Sequence, residues 1–505
     1  MQTPAPRAGR REWIGLAVIA LPCTLYSMDL TVLNLAVPSL ARDMTPTASE
    51  LLWIIDIYGF MVAGFLMVMG ALGDRLGRRR ILLIGAAAFG VMSVVAAFAQ
   101  TPTQLIIARA ALGIAGATLA PSTLSLITSM FRDERQRTFA ISIWITSFSV
   151  GAIIGPVVGG VLIEWFWWGA VFLAGVPVML LLLVLGPFLL PEYKDPSPGR
   201  IDLASAALSL VAVLSLIWGI KHGAEYGLDL KAAAALALGT VLVTLFIRRQ
   251  GQLANPLIDL SLFRIPRFSL SVGINLIAIF FMFGSFIFFA QYLQLVLGLS
   301  PLLAGLWSLP GAVAFAMVSP LTATLAAQLG AVRLMAGGLL VSAIGFTLMA
   351  VTVSLEGMVA ANVILSVGFT PVMALTTGFI VGAAPVEKAG VASAISETAA
   401  EFGGALGIAV LGSLLTLIYR TRMATAELPG LRGDLERTAR STLAGAAEAS
   451  TALPAESGAM LLTLGRSAFT DAFHLIAALA AAALIGLTAV TVRVLSGANP
   501  AQAGH

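Results

Sequence analysis

Charge is what this chain has least of. Only 11% of its 505 residues are Asp, Glu, Lys or Arg, while 59% are hydrophobic. A water-facing globular surface needs about a quarter or more of its residues charged, so a soluble domain is excluded and an all-α polytopic membrane protein is expected. Cysteine is nearly missing too. Cys23 stands alone in the first apolar run, which rules out an intramolecular disulfide and implies no redox site. The three histidines, His222, His474 and His505, are scattered and argue against a metal cluster or a His-based catalytic centre. No Gly-rich loop ending in Lys-Ser/Thr occurs, so no ATP site is visible and any work must draw on an ion gradient. Neither metal nor cofactor is expected. The net charge of +4 says nothing of nucleic acid, because the positive charges sort by membrane side; no nucleic-acid partner is expected.

What the chain has is length of apolar run. Stretches long enough to cross a bilayer fall near 13–36, 51–72, 80–99, 103–127, 138–162, 167–190, 202–220, 231–249, 268–292, 302–327, 332–353, 357–383, 389–418 and 470–495, fourteen in all. The first begins behind Arg7, Arg10 and Arg11, carries Asp29, lacks a convincing cleavage site and is taken as a retained helix. Placing the N-terminus inside puts nineteen of the twenty-nine Lys and Arg residues on the cytoplasmic side, and both termini there. On that count Lys221, Lys231 and Arg42 fall in short outer loops, and Arg109 sits within a span.

An internal repeat orders the spans. GAIIGPVVGG (151–160) matches GGALGIAVLG (403–412) at an offset of 252, and LGRRRILLIG (76–85) matches LGAVRLMAGG (329–338) at 253. Two six-helix halves related in this way leave spans seven and eight as an insertion. The expected division is 1–200, 201–250 and 251–505, with a long outer loop at about 419–469. Parallel halves of this kind imply a secondary transporter whose site lies between them, near the midplane.

Glu397 and Glu401 lie four residues apart in one of the most apolar spans, so a helix puts both carboxylates on one face. A charge at bilayer depth costs roughly 2.5–3.5 kcal/mol even on lenient scales, which points to a cavity or an ion path; a structural pair joining two helices is the alternative. Two carboxylates this close titrate as a coupled unit.

GALGDRLGRRR (70–80), between spans two and three, resembles the signature of the major facilitator superfamily. Its matching positions are Gly73, Asp74, Arg75, Gly77 and Arg78. The resemblance implies a latch in which Asp74 meets a helix N-terminus of the other half, whose own copy is degenerate, with Ala327 and Gln328 at the Asp-Arg positions. LIIARAALGIAGA (105–117) supplies Arg109, which the family associates with proton coupling and which the residues alone leave equally open as structural. GAIIGPVVGG, with Gly151, Gly155, Pro156 and Gly159, resembles the antiporter-branch motif; glycines every four residues make a smooth packing face.

Together with MDLTVLNLAVP (28–38), ELLWIIDIYGF (50–60) and SETAAEFGGALGIAVLG (396–412), these motifs make the chain similar to the fourteen-helix drug:proton antiporters, notably exporters of quaternary ammonium compounds, methyl viologen and cationic dyes. The resemblance implies the major facilitator fold, two six-helix bundles plus two inserted helices. It also implies an acidic set of Asp29, Asp56, Glu397 and Glu401, with Asp29 the leading candidate to face a cationic drug. Trp53, Tyr58, Trp144 and Phe286 are candidate π-faces for such a cation. Some relatives carry a further acid in the tenth span, where LPGAVAFAMVSP (309–320) has none. The expected protein is a monomer in the bacterial cytoplasmic membrane, exchanging protons for organic cations. A dedicated metabolite or antibiotic exporter is the alternative. The loop after Tyr419 reads either as a lid or as a solvated tether.

Overall fold

The computed structural model describes residues 8–194, 202–253, 256–385, 389–426 and 433–495. Arg7, His505 and the expected boundary at 200–201 fall outside them. The described residues are helical, with no strand among them. The helices are α1 (Arg10–Met44), α2 (Ala48–Leu76), α3 (Arg78–Ala97), α4 (Pro102–Met130), α5 (Glu134–Trp165), α6 (Ala170–Leu189) and α7 (Leu203–Tyr226). They continue with α8 (Leu230–Gln250), α9 (Pro266–Val296), α10 (Pro301–Val318), α11 (Ala331–Val351), α12 (Leu355–Ala383), α13 (Ala389–Ala424) and α14 (Ala455–Leu495). Twelve of these are long and apolar enough to cross a membrane over their described residues. The other two, α1 and α5, have 35 and 32 residues.

Local chemistry sets where they begin. Thr47 and Glu50 form a reciprocal capping box at α2. Thr101 and Ser300 cap helices that open with a proline, and Asp133, Asp202 and Asp229 accept from the first turns of α5, α7 and α8. Each cap satisfies a backbone donor where the chain enters an apolar layer.

The repeat read from the sequence recurs in three dimensions. Helices α1 and α5 pack along their lengths, as do α9 and α13. At Gly151 a methyl group would lie 2.1 Å from the Thr24 carbonyl oxygen; at Gly403 it would lie 2.8 Å from that of Leu276, and both members of the second pair sit 252 residues on. Backbone carbonyls cannot move aside as a side chain can, so both positions require glycine. The turns before α3 and α11 also correspond: Gly77 has φ 114° and ψ 131°, Gly330 has φ 85° and ψ 133°. A side chain is strained in that region.

The two groups of helices meet along α2 with α13 and along α5 with α10. Their closest approaches lie toward the end away from the termini. Gly305 abuts the Pro156 carbonyl, Gly160 abuts Leu302, and Gly412 abuts Leu52. Glu164 accepts from Ser300 Oγ at 3.0 Å and from Leu302 N at 3.2 Å, and Gln294 donates to the Leu35 carbonyl at 3.2 Å. Helix α7 packs on both α2 and α13, and with Ile217 fully buried against Phe60, Ala405 and Ala409 it covers that seam.

The stretch after α13 is folded rather than a bare tether. Short helices Asp434–Ser441 and Leu443–Thr451 bury Leu443, Ala444, Ala446 and Ala449, and Tyr419 donates to the Ala439 carbonyl at 3.1 Å. Leu443 and Ala444 roof a small cavity bounded below by Leu51, Leu52 and Ile55.

Candidate functional site

Asp29, on α1, lies opposite Arg109 on α4, with Nη1 to Oδ2 at 2.6 Å. The guanidinium also donates through Nε to the Ile54 carbonyl at 3.1 Å and through Nη2 to that of Ile55 at 3.4 Å. Its carbon lies 4.7 Å from the Tyr58 ring centroid. Arg109 is 1% exposed and Asp29 6%, so each charge depends on the other for the compensation that water would give. The charge of Asp29, expected to face a drug, is met by Arg109 in this structure.

Asp56 on α2 is matched in the same way, by a residue that the apolar-run boundaries misplace. Lys221 was expected in a short outer loop. Instead α7 continues to Tyr226 and Lys221 is buried within it. Its Nζ is 2.8 Å from Asp56 Oδ1 and 2.7 Å from Oδ2, and 3.9 Å from the centroid of the Trp53 ring. The physical reason is the pair itself, since an ammonium stays in an apolar layer when a carboxylate and a π-face are there to receive it. Glu225, a turn further on, accepts from the Ser49 amide at 3.0 Å and fastens the same helix to α2.

The glutamates are different. Glu401 on α13 accepts from the Tyr26 hydroxyl at 2.7 Å, a bond that crosses from one group of helices to the other. Glu397, one turn back toward the terminus-bearing end, is exposed. Neither has a basic partner among the described residues.

Asp56, Arg109 and Glu401 line one cavity of about 180 Å³, walled otherwise by Leu33, Ile55, Ile279, Phe283, Met373 and Ile408. Phe283 is shared with a second cavity. There Phe286, Phe289, Phe315, Phe346 and Phe369 surround a few polar groups, among them Ser308, Asn362 and Ser366. The arrangement joins ionised groups to a broad aromatic surface.

Of the four candidate π-faces, Phe286 lines the second of these cavities, and Trp53, Tyr58 and Trp144 line neither. Trp53 carries Lys221 and Tyr58 carries Arg109, while Trp144 is buried and donates to Thr123 at 2.9 Å. Tyr26 is not among the residues singled out from the sequence. Tyr26 carries a signal in hindsight, a tyrosine three residues before Asp29 and so on nearly the same helix face.

The loop signature is paired within its own half. Asp74 pairs with Arg78 at 2.5 Å on the same chain segment, and Arg78 N donates to the Tyr193 carbonyl at 2.9 Å. Arg79 N donates to Glu192 at 3.0 Å. The ion pair of Asp74 thus lies within its own segment, while the two groups of helices approach most closely at the opposite end. Gly151, Pro156 and Gly159 of the α5 motif line the contacts with α1 and α10: Gly159 abuts Val32, and Gly155 is buried beside them.

The fold, the two-seam architecture and the loop signature agree with a family model for the Major Facilitator Superfamily, which matches residues 23–408. The chain belongs to the major facilitator superfamily. Among relatives, it is 44% identical over 489 residues to the multidrug efflux pump LfrA of Mycolicibacterium smegmatis, covering 96% of each chain. It is 36% identical over 485 residues to the methyl viologen resistance protein SmvA of Salmonella typhimurium, covering 95% of this chain and 97% of that one. Among solved structures, a bacterial homologue of the human lysosomal transporter Spinster superposes with a TM-score of 0.70 at 17% identity, covering 98% of this chain and 100% of the other. The protein is thus a multi-pass membrane transporter of this superfamily and not an enzyme.

Proposed function

We propose that the protein is a proton-coupled drug efflux antiporter for lipophilic organic cations, quaternary ammonium compounds and dyes among them, working by alternating access. The observation that carries this reading is the charge inventory of the central region. Asp29 and Asp56 are each matched by a base at 2.6–2.8 Å, while Glu397 and Glu401 have none among the described residues. Two uncompensated carboxylates beside an apolar, aromatic cavity suit a ligand that is cationic and greasy. The same carboxylates suit protons when that ligand is gone. The names of the relatives, a multidrug pump and a methyl viologen resistance protein, support the same substrate class.

With both termini cytoplasmic, as the distribution of Lys and Arg favours, the tightly packed end faces outward and the cavity is reached from within. A cation entering from the cytoplasm meets Glu397 first and then Glu401, and its apolar body lies against Phe283 and Phe286. Reopening outward exposes the carboxylates to protons, which neutralise them and release the cation. Return to the inward state lets the protons leave. Asp29 and Arg109 hold the N-terminal wall in this cycle rather than contacting the drug. The expected setting is the bacterial cytoplasmic membrane, and the expected unit is a monomer.

The deciding measurement uses purified protein in liposomes under an imposed pH gradient, challenged with ethidium or a quaternary ammonium compound. Dissipation of the gradient by several unrelated lipophilic cations is expected, and Glu401→Gln abolishes it at normal protein yield. Full activity in Glu401→Gln, or indifference of active wild-type vesicles to every cation, overturns the reading.

A further inference from the structure

The inserted pair α7–α8 stands outside the twofold repeat, and nothing in the antiport cycle so far requires it. Yet α7 places a fully buried lysine against an acid that lines the central cavity. We propose that Lys221 is a built-in counter-cation, competing with the transported cation for Asp56. Asp56 is then a carboxylate held in reserve, and the inserted helix is a selectivity element. The inference rests on the antiport reading above and deepens it.

Three observations support it. First, Asp56 stands at the cavity wall with its carboxylate wholly buried, its two oxygens 2.8 Å and 2.7 Å from Lys221 Nζ. Only Oδ1 receives a directed hydrogen bond. Oδ2, though 2.7 Å from the same ammonium, is buried without a directed hydrogen bond, so its contact with Lys221 is electrostatic alone and is the one an incoming cation would replace. Second, the ammonium has somewhere to stay when it lets go. Its nitrogen already lies 3.9 Å from the Trp53 ring centroid, so release from Asp56 exchanges an ion pair for a cation–π contact without a return to water. Third, α7 rests on both α2 and α13, the seam at which the two bundles meet. A change at Asp56 is therefore felt where the bundles move against each other.

The other charges facing this point are known. Arg109 reaches the same cavity from α4, already engaged with Asp29, and Glu401 faces it from α13. A singly charged ligand is met by the glutamates alone and leaves Lys221 seated. A ligand with a second, well-separated positive charge displaces the ammonium and recruits Asp56. Removing the lysine makes the cavity more negative by one charge at all times; removing the acid makes it more positive by one.

The test compares binding of a monocation, ethidium, with that of a dication, methyl viologen, to purified wild type, Lys221→Gln, Asp56→Asn, the double variant and Lys221→Arg. Lys221→Gln is expected to shift the affinity ratio toward the dication by roughly tenfold, the order given by one unit charge several ångströms away in a partly polar site. Asp56→Asn shifts it the opposite way. The double variant and Lys221→Arg return it near the wild-type ratio. A pair that only braces the fold would move both ligands together and in the same direction in both single variants, and that result overturns the proposal. Should Lys221→Gln fail to fold, the sign of the shift in Asp56→Asn still decides. Failure of the wild type to bind either cation removes the antiport reading itself, whereas normal wild-type binding with an unmoved ratio in the variants removes only the counter-cation.

Discussion

On the N-terminal wall of the cavity, Asp29 and Asp56 each face a base within hydrogen-bonding distance, and each of those bases also lies over an aromatic ring. On the C-terminal wall, Glu401 meets a phenol and Glu397 meets open space. The same residue type in the same apolar layer is treated in two ways. A matched buried pair is costly to disturb and changes little with what enters the cavity. An unmatched carboxylate is stable there only while a proton, a cation or water attends it, so its state follows the ligand. Under the antiport reading proposed above, that difference makes the first wall the scaffold and the second the exchange surface.

The sharpest way to break that comparison is to unmatch the matched wall. Arg109→Met leaves Asp29 buried opposite a thioether and frees two backbone carbonyls. Removing one partner of a buried ion pair costs about 3–5 kcal/mol, so thermal unfolding in detergent should fall well below wild type and transport should be lost with it. Arg109→Met/Asp29→Asn should recover much of the stability, because no orphaned charge remains, while transport stays low. Equal melting of the single and double variants would show that Arg109 acts through its carbonyl bonds and not through the pair.

A second, smaller contrast lies in the glycine stripes that seat the two walls. A methyl group at Gly151 would come within 2.1 Å of a backbone oxygen, against 2.8 Å at the corresponding Gly403. Gly151→Ala should therefore destabilise by about 1–3 kcal/mol, in the range of core overpacking, and Gly403→Ala by distinctly less. The same melting experiment reads both. The reverse order would mean that α1 gives way more easily than α9, and that the matched wall is not the stiffer of the two.

Much of this was legible from the residues, for a physical reason. In so apolar a chain an ionised side chain is conspicuous, and Arg109, Glu397 and Glu401 stand out by their rarity, whereas Asp29 and Asp56 join the acidic set through the family resemblance. The facing of Glu397 and Glu401 followed from helical spacing, and the repeat from glycines whose recurring contact needs the absence of a side chain. Pairing was not legible. Asp56 and Lys221 are 165 residues apart, and no local pattern joins them. Ending the seventh apolar run at residue 220 put Lys221 in a loop by a single residue, because hydropathy counts a lysine as an exit signal. The helix runs on to Tyr226, and the partner that makes this tolerable lies on another helix. The π-faces of Trp53 and Tyr58 were read as open to a ligand for the same reason: the cations that occupy them come from elsewhere in the chain.

The finest test concerns the one bond that joins the two walls. Tyr26→Phe removes the hydroxyl that donates to Glu401 and leaves the ring, which packs edge-on against Phe148 with centroids 5.9 Å apart. A hydrogen bond to a charged group is worth about 1.5–3 kcal/mol when nothing replaces it. Glu401 borders a cavity, so water can take the phenol's place and the net loss should be nearer 1 kcal/mol. The expected outcome is a few-fold change in the apparent KM for cations with turnover retained, measured in the same liposomes. A loss of transport as complete as that of Glu401→Gln would carry a different lesson. The phenol would then be part of the proton's route, and the N-terminal wall, matched as its charges are, would take part in the exchange itself.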